Sequence, residues 1–355
     1  MYRDYRDKDV QFFYVYSNVQ HPEINNFVAP YNVKERLMHI EEIVRRSKSE
    51  MPWLCDNMKH DLKSALRAAP NGEYVFDKDG KMIRKRFWSD PNTLRQDLET
   101  LVGKVDKPTK VEDLPTRFVV EKRTIASGVV PRIQIPGRMA ALEIEPMGAK
   151  KDEAPFYVKL RAEMSGRVVM GGQKKGKLYL GFYLDPLYKV HWNNKMAPIK
   201  VQIDGGECLS VNESKLTGPK VKEAADVDPR QFLVDVELKD AKKEFVVTVS
   251  YAACDDAETF CIPLTQKYKI KINRDRFGGS RPGVFMPQMF ANVRQHDKNK
   301  DGTITADELP KGQVTLFIGH MDKNNDNQIS AKEIEEFEQM FNNGKGFESD
   351  KNDGG

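Results

Sequence analysis

The chain has 355 residues, which at roughly 150 per domain makes two or three domains with real cores. Its 57 Lys and Arg against 53 Asp and Glu leave +4, too small a surplus to argue for a nucleic-acid partner, and four cysteines exclude a disulfide-built scaffold. No stretch reaches the ~18 consecutive apolar residues of a membrane-spanning helix, and the opening MYRDYRDKD has neither the basic start nor the apolar run of a signal peptide.

Residues 9–17 (DVQFFYVYS) are aromatic and β-branched and predict a buried strand of the kind found in α/β sheets. Residues 33–47 place Val33, Leu37, Ile40 and Val44 at helical spacing among charges, which predicts an amphipathic helix with those four inward. A helix over 59–68, a strand over 73–77, an Asp79-Gly80 turn, a strand over 81–87 and a helix over 91–102 complete an α/β segment, 1–104. The charged stretch after it, with Pro108 and Pro115, reads as a linker.

Three stretches of this segment, YRDYRDKDVQFFYVYSNVQHPE (2–23), MPWLCD (51–56) and AAPNGEYVFDKDGKM (68–82), resemble the thioredoxin-like fold of the iodothyronine deiodinase family and related redoxins. That family carries its selenocysteine or cysteine on a strand and helix ahead of the stretch matching Tyr5. The resemblance therefore implies a truncated thioredoxin-like segment without its catalytic position and without a central strand. Either the sequence is part of a longer protein or the redox role is lost. His21 matches the family's histidine-proline turn only in type, and its plain reading is a loop histidine; Cys55, after an apolar strand, reads as a buried thiol.

From about residue 115 to 275 the apolar period changes to two. Leu178, Leu180, Phe182 and Leu184 alternate with other residues, as do Phe232, Val234, Val236 and Leu238, then Phe245, Val247, Val249 and Tyr251. Short alternating strands between Gly, Pro and Asn clusters predict a β-sandwich. Cys254 and Cys261 flank a short turn between two strands, where cross-strand Cβ atoms lie ~4.5–5.5 Å apart, close enough for a disulfide. Such a bridge needs an oxidising compartment; two reduced thiols or a metal pair remain the alternatives. Cys208, near a Gly-Gly turn, reads as an unpaired thiol, and His191-Trp192 as packing.

The segment YAACDDAETFCIP (251–263) and the upstream KLYLGFYLDPLYKVHW (177–192) are similar to the N-terminal domain of the thiol:disulfide interchange reductase family. The resemblance implies an immunoglobulin-like sandwich, redox cysteines at Cys254 and Cys261, a protein thiol or disulfide partner, and a periplasmic or secreted setting. Six residues separate these cysteines where the family has five. Nearby Asp255, Asp256 and Glu258 also disfavour the thiolate that exchange needs. A Gly-rich linker over 276–283 follows.

The last 72 residues hold 8 basic and 13 acidic side chains, an acidic module beside a basic body. Asp297, Asn299, Asp301 and Thr305 stand at positions 1, 3, 5 and 9 of a twelve-residue loop, with Gly302 at 6, Ile304 at 8 and Glu308 at 12. This is the EF-hand template: hard oxygens on short side chains wrap a calcium ion, Thr303 offers its carbonyl, and Glu308 adds two oxygens. A second loop runs through Asp322, Asn324, Asp326, Gln328, Ser330 and Glu333, with Asn327 in place of glycine. Asn tolerates the left-handed turn there, so binding should survive, weakened.

Met286, Met289, Phe290 and Val293 before the first loop, Val314, Phe317, Ile318 and Met321 before the second, and Ile334, Phe337, Met340 and Phe341 after it predict helices sharing one core. Pro310 shortens the first exit helix, which favours a constitutive pair over a sensor. The expected layout is multi-domain α+β: 1–104, 115–275, an α-helical EF-hand pair over 284–345, and a disordered tail over 346–355. The function expected is calcium binding in an extracytoplasmic protein of redoxin ancestry, with thiol:disulfide exchange through Cys254 and Cys261 as the alternative.

Overall fold

The computed structural model describes residues 1–19, 22, 27–68, 71–114, 124–135, 139–148, 155–279, 293–309, 314–322, 326 and 328–342. It is a mixed α/β structure, mostly sheet with few helices. Two compact units account for the chain, Met1–Gln20 with Ala29–Ala126 and His21–Val28 with Ser127–Gly355. His21, Met286, Met289, Phe290, Pro310, Asn324, Asn327 and the tail over 346–355 lie outside the described residues, as do the side chains of Met340 and Phe341.

The first unit runs α1 (Tyr2–Tyr5), β1 (Tyr14–Tyr16), α2 (Val33–Ser47), β2 (Trp53–Cys55), α3 (Asp61–Leu66), β3 (Glu73–Phe76), β4 (Met82–Arg86) and α4 (Pro91–Val102). β1 and β2 pair in parallel, Tyr14 with Trp53 and Tyr16 with Cys55, and α2 supplies the crossover that parallel strands require. β3 and β4 form an antiparallel hairpin whose turn holds Gly80 at φ +78°, a conformation glycine adopts without cost. Asp90 caps α4 by accepting from the amides of Asn92 and Thr93, and Pro91 occupies the first helical position.

Two expectations fail here, and one helix is shorter than read. The strand read over 9–17 is only three residues long and exposed. β1 has one neighbour among the described residues, and the face carrying Phe13, Val15 and Leu54 leaves each 45–49% accessible. The helix read over 59–68 is α3, bracketed by His60 and Arg67 in left-handed conformations. The second failure is the face α2 buries. Glu35, Arg36, His39 and Arg46 are inside, while Val33 and Leu37 are exposed. The polar face wins because it finds partners. Arg36 donates to the carbonyls of Asp56 and Asn57, His39 meets the Tyr16 hydroxyl at 2.6 Å, and Glu35 accepts from the Tyr31 amide.

The second unit holds one eleven-stranded sheet made of β5 (Met139–Met147), β6 (Val158–Ser165), β7 (Lys175–Leu184), β8 (Val190–Asn193), β9 (Lys200–Asp204), β10 (Leu209–Val211), β11 (Lys215–Thr217), β12 (Ala225–Asp226), β13 (Arg230–Leu238), β14 (Glu244–Asp255) and β15 (Cys261–Arg274), with the short α5 (Gly166–Val169) after β6. Its order is β10-β13-β7-β6-β5-β15-β14-β8-β12, with β9 on β14 and β11 on β9. β5 joins the two halves, pairing with β6 through Met139–Ala141 and with β15 through Leu142–Met147. On β14 the alternation in the sequence is realised, with Phe245, Val247 and Val249 buried; on β7 Leu178, Leu180 and Phe182 are buried, but so are Tyr179 and Tyr183 between them, so that strand is covered on both faces. Each such Leu, Val or Phe side chain contributes about 1.5–3 kcal/mol. The Tyr268 hydroxyl on β15 donates to the Val158 carbonyl on β6 at 2.8 Å, a bond across the two halves. Buried Asp228 gathers the amides of Gly128, Val129 and Val130 and ties the strand-free lead-in to the sheet.

In the acidic module a 3₁₀ turn (Val293–His296) precedes β16 (Thr303–Thr305), α6 (Val314–Met321), β17 (Gln328–Ser330) and α7 (Ala331–Asn342). Val293, Ile304, Leu309, Phe317, Met321, Ile329, Ile334 and Phe337 form its core, with Val314 and Ile318 against it.

Candidate functional site

β16 and β17 are the middle parts of the two acidic loops, and they pair antiparallel with Ile304 opposite Ile329. Both isoleucines are at most 1% exposed, so the apolar residue at position 8 of each loop clamps the loops together from inside. The polar positions wrap outward. In the first loop Asp297 accepts from the amides of Asp301 and Gly302, Asn299 from Asp301, and Asp301 from Thr303 at 2.8 Å. Gly302 sits at φ +84°, the turn the template assigns to glycine.

The glutamates at position 12 are held in a manner the spacing reading did not foresee. Glu308 accepts from the Thr305 amide and hydroxyl through one oxygen and from the Lys298 and Asn299 amides through the other. Those bonds, Thr305 first, pull its carboxyl down to about 2. Glu333 accepts from the Ser330 amide and hydroxyl at 2.8 Å, while its own amide donates back to the Ser330 hydroxyl. Thr-x-x-Glu and Ser-x-x-Glu are capping-box sequences, so the signal was present in the chain. Asp297, Asn299, Asp301, Thr303, Thr305 and Glu308 thus come together in one loop. Asp322, Asp326, Gln328, Ser330 and Glu333 line the second, where Asp326 accepts from the Gln328 amide. This all-oxygen donor set suits a hard cation such as calcium and offers no thiolate or imidazole. Among the described residues no three His, Cys, Asp or Glu side chains converge as a metal cluster, and Glu308 is turned onto the loop's own amides.

Residues 294–311 and 320–337 both match the EF hand family. Residues 294–337 hold two EF hands. EF hands imply calcium binding. No curated protein matches the chain. Among solved structures, the FixG-related protein from Vibrio parahaemolyticus aligns at 12% identity over 37% of this chain and 95% of that chain, with a TM-score of 0.13, a likeness too low to carry a structural argument.

A second grouping lies at the tip of the β14–β15 hairpin. Cys254 and Cys261 are opposite in register and joined by a disulfide. Cys254 is buried and Cys261 exposed, with the Asn193 amide donating to the Cys261 sulfur at 3.3 Å. Asp255 closes the turn by accepting from the Phe260 amide and the Thr259 hydroxyl, and Asp256 faces His191 Nδ1 at 3.2 Å. Phe260 stacks on Tyr157. His191 and Trp192 are buried packing residues, and Cys208 is free and buried, its thiol pushed up to about 11 by desolvation. Cys55 is half-buried.

A third cluster escaped the sequence reading. Beyond the ends of β1 and β2, Ser17 Oγ lies 3.1 Å from His60 Nδ1 and 3.3 Å from Asp56 Oδ2, while Arg36 Nη2 meets His60 Nε2 at 3.2 Å. Arginine only donates, so Nε2 accepts and Nδ1 carries the proton toward Ser17. Asp56 also accepts from the amides of Asn57, Leu62 and Lys63. With Nε2 committed to Arg36, His60 is no base for Ser17, and the cluster locks strands to helices. Only a fold that brings residues 17, 36, 56 and 60 together could reveal it.

Further, no helix is long and apolar enough to cross a membrane among the described residues.

Proposed function

We propose that this protein binds two calcium ions, one through Asp297, Asn299, Asp301, the Thr303 carbonyl, Thr305 and Glu308, the other through Asp322, Asn324, Asp326, the Gln328 carbonyl, Ser330 and Glu333. The observation that carries this reading is the pairing of two template loops through Ile304 and Ile329 over a common core. A bound calcium ion would be held by these carboxylates and carbonyls and would offset their negative charge, with Glu308 and Glu333 as the position-12 oxygen donors. The proposed layout keeps a thioredoxin-like segment over 1–104, an immunoglobulin-like sandwich over 115–275 and the EF-hand pair over 284–345. Redoxin ancestry draws support from the β1–α2–β2 parallel unit followed by the β3–β4 hairpin and α4. An extracytoplasmic location draws support from the Cys254–Cys261 bridge, since thiols stay reduced in most cytosols.

Calcium should raise the melting temperature of the full chain. At a concentration about 100-fold above the dissociation constant each site adds about 2.7 kcal/mol, and extracellular-type sites bind at about 10⁻⁴–10⁻³ M. A transition unmoved by 10 mM calcium, relative to magnesium or chelator, at the affinities of about 10⁻⁴ M and tighter would count against the reading.

The second reading, thiol:disulfide exchange, is favoured by the exposure of Cys261 at the hairpin tip beside buried Cys254. Equilibration with glutathione buffers separates the two roles of the bridge: a potential below about −300 mV marks a structural bond, and one near −200 mV an exchanging pair.

A further inference from the structure

His191 on β8 is buried, and its Nδ1 lies 3.2 Å from Asp256 Oδ1. An ionised carboxylate only accepts, so Nδ1 carries the ring proton and Nε2 is left as an acceptor. Among the described residues Nε2 meets no hydrogen-bond donor. Buried polar atoms are ordinarily paired, and packing alone gives no reason for this one to stay open.

The strand register shows what the imidazole stands beside. Cys254 pairs with Cys261 on β15 and with His191 on β8, so the three residues form one row across three strands. Directly opposite side chains of an antiparallel pair share a face, with Cβ atoms about 4.5–5.5 Å apart. Asn193, two positions further along β8 on the same face, reaches across β14 to donate to the Cys261 sulfur at 3.3 Å. Side chains of β8 thus reach over the bridge, and His191 is the one directly opposite Cys254.

The strands paired with β8 are β14 and β12. At the end of β14, Asp255 is committed to the Phe260 amide and the Thr259 hydroxyl, and Glu258 in the turn is exposed, as is Lys189 ahead of β8. On β12, Asp226 pairs with Trp192 and binds Arg230, which places both charges on the other face of the sheet. Asp256 is therefore the charged group fixed on the imidazole.

We infer that His191, oriented by Asp256, takes up the proton of the Cys254 thiol, so that opening the bridge leaves a Cys254 thiolate facing an imidazolium. This role rests on the thiol:disulfide exchange reading and names the group that serves it. The exposed sulfur is the one attacked: a thiolate of a dithiol bonds to Cys261, the Cys254–Cys261 bond breaks, and its electron pair goes to Cys254. The dithiol's second thiolate then attacks its own sulfur in the mixed disulfide and expels Cys261, to which the Asn193 amide donates. The dithiol ends as a disulfide, having supplied two electrons, and its two protons end on His191 Nε2 and on Cys261. The imidazolium offsets Asp255, Asp256 and Glu258, whose charges oppose a thiolate.

The test follows reduction of the full chain by dithiothreitol at pH 7, with a chelator present to keep the EF hands out of the outcome. A cation this close favours a thiolate about 100-fold, which at a Brønsted sensitivity near 0.5 is about tenfold in rate. His191→Gln should therefore slow reduction about tenfold, and Asp256→Asn by a smaller factor. The reduced parent should show ultraviolet thiolate absorbance at pH 7, and reduced His191→Gln and Cys254→Ser should lack it. A residue that only packs would not move that absorbance. Circular dichroism of the oxidised variants should match the parent; should His191→Gln misfold, Asp256→Asn, at a side chain 23% exposed, carries the same two readouts. Reduction of folded His191→Gln as fast as the parent, or thiolate absorbance that survives the substitution, overturns the inference. The glutathione potential alone judges the exchange reading, so failure of that reading is told apart from failure of the role given to His191.

Discussion

Replacing Cys254 and Cys261 together by alanine removes the cross-link at the β14–β15 tip while leaving the eleven paired positions of that hairpin. The two cysteines are seven positions apart, so the closed loop contains about eight residues, and the loop-entropy relation gives about 2.5 kcal/mol at 25 °C as the most the bond contributes. For a unit of roughly 150–250 residues each kcal/mol moves the midpoint by about 2–4 °C, so the variant should melt about 5–10 °C lower. Reductant should lower the parent to the same midpoint and leave the variant unchanged. Differential scanning calorimetry of the full chain, with peptide mapping after alkylation in the absence of reductant, measures both. If both cysteines alkylate freely in the native protein, there is no bridge. If the variant melts within about 1 °C of the parent, the cross-link is irrelevant to stability and a loop-entropy account is wrong.

Arg230 and Asp226 form a buried pair, 3% and 0% exposed, so Arg230→Met strands a carboxylate in the core and should cost about 3–5 kcal/mol by urea denaturation, most of it recovered in Arg230→Met with Asp226→Leu. Equal destabilisation in single and double variants would refute the stranded-charge argument. Burial and the neighbouring Arg36 hold His60 down to about 4, below its unfolded value of about 6.5. Its neutral form is the folded one, so its contribution, at most about 3 kcal/mol, is fully present above pH 6.5 and is lost as pH falls toward 4. The denaturation midpoint should drop over that window, and less so in His60→Gln; identical slopes would exclude His60 as the source. Cys208, buried and with its thiol at about 11, should resist iodoacetamide at pH 8 long after half-buried Cys55 is labelled, and the reverse order by mass spectrometry would contradict the burial assigned to them.

What the sequence revealed and what it hid follow from how local each signal is. The calcium loops are legible because twelve consecutive residues carry every donor, and the hairpin bridge because register places Cys254 opposite Cys261 across a short turn. The period-two run marked the inward face of β14, yet such runs could not show that β7 is buried on both faces or that β5 divides its pairing between two halves of one sheet, since that depends on partners far apart in sequence. The inward face of α2 was misread for a related reason. Helical periodicity assumes that apolar residues go inside, but Arg36 is buried against carbonyls just beyond the end of β2 and His39 against the Tyr16 hydroxyl on β1. The capping role of Glu308 and Glu333 lay in plain view as a four-residue pattern that the calcium template overshadowed.

Isothermal titration of the full chain with calcium tests the central claim most directly. The parent should bind two ions per chain, the Asn327 loop being the weaker site, and the variant carrying Glu308→Gln and Glu333→Gln should bind none in the same range. A parent that takes up no calcium at millimolar concentration, or a double variant that still binds two ions, would contradict it.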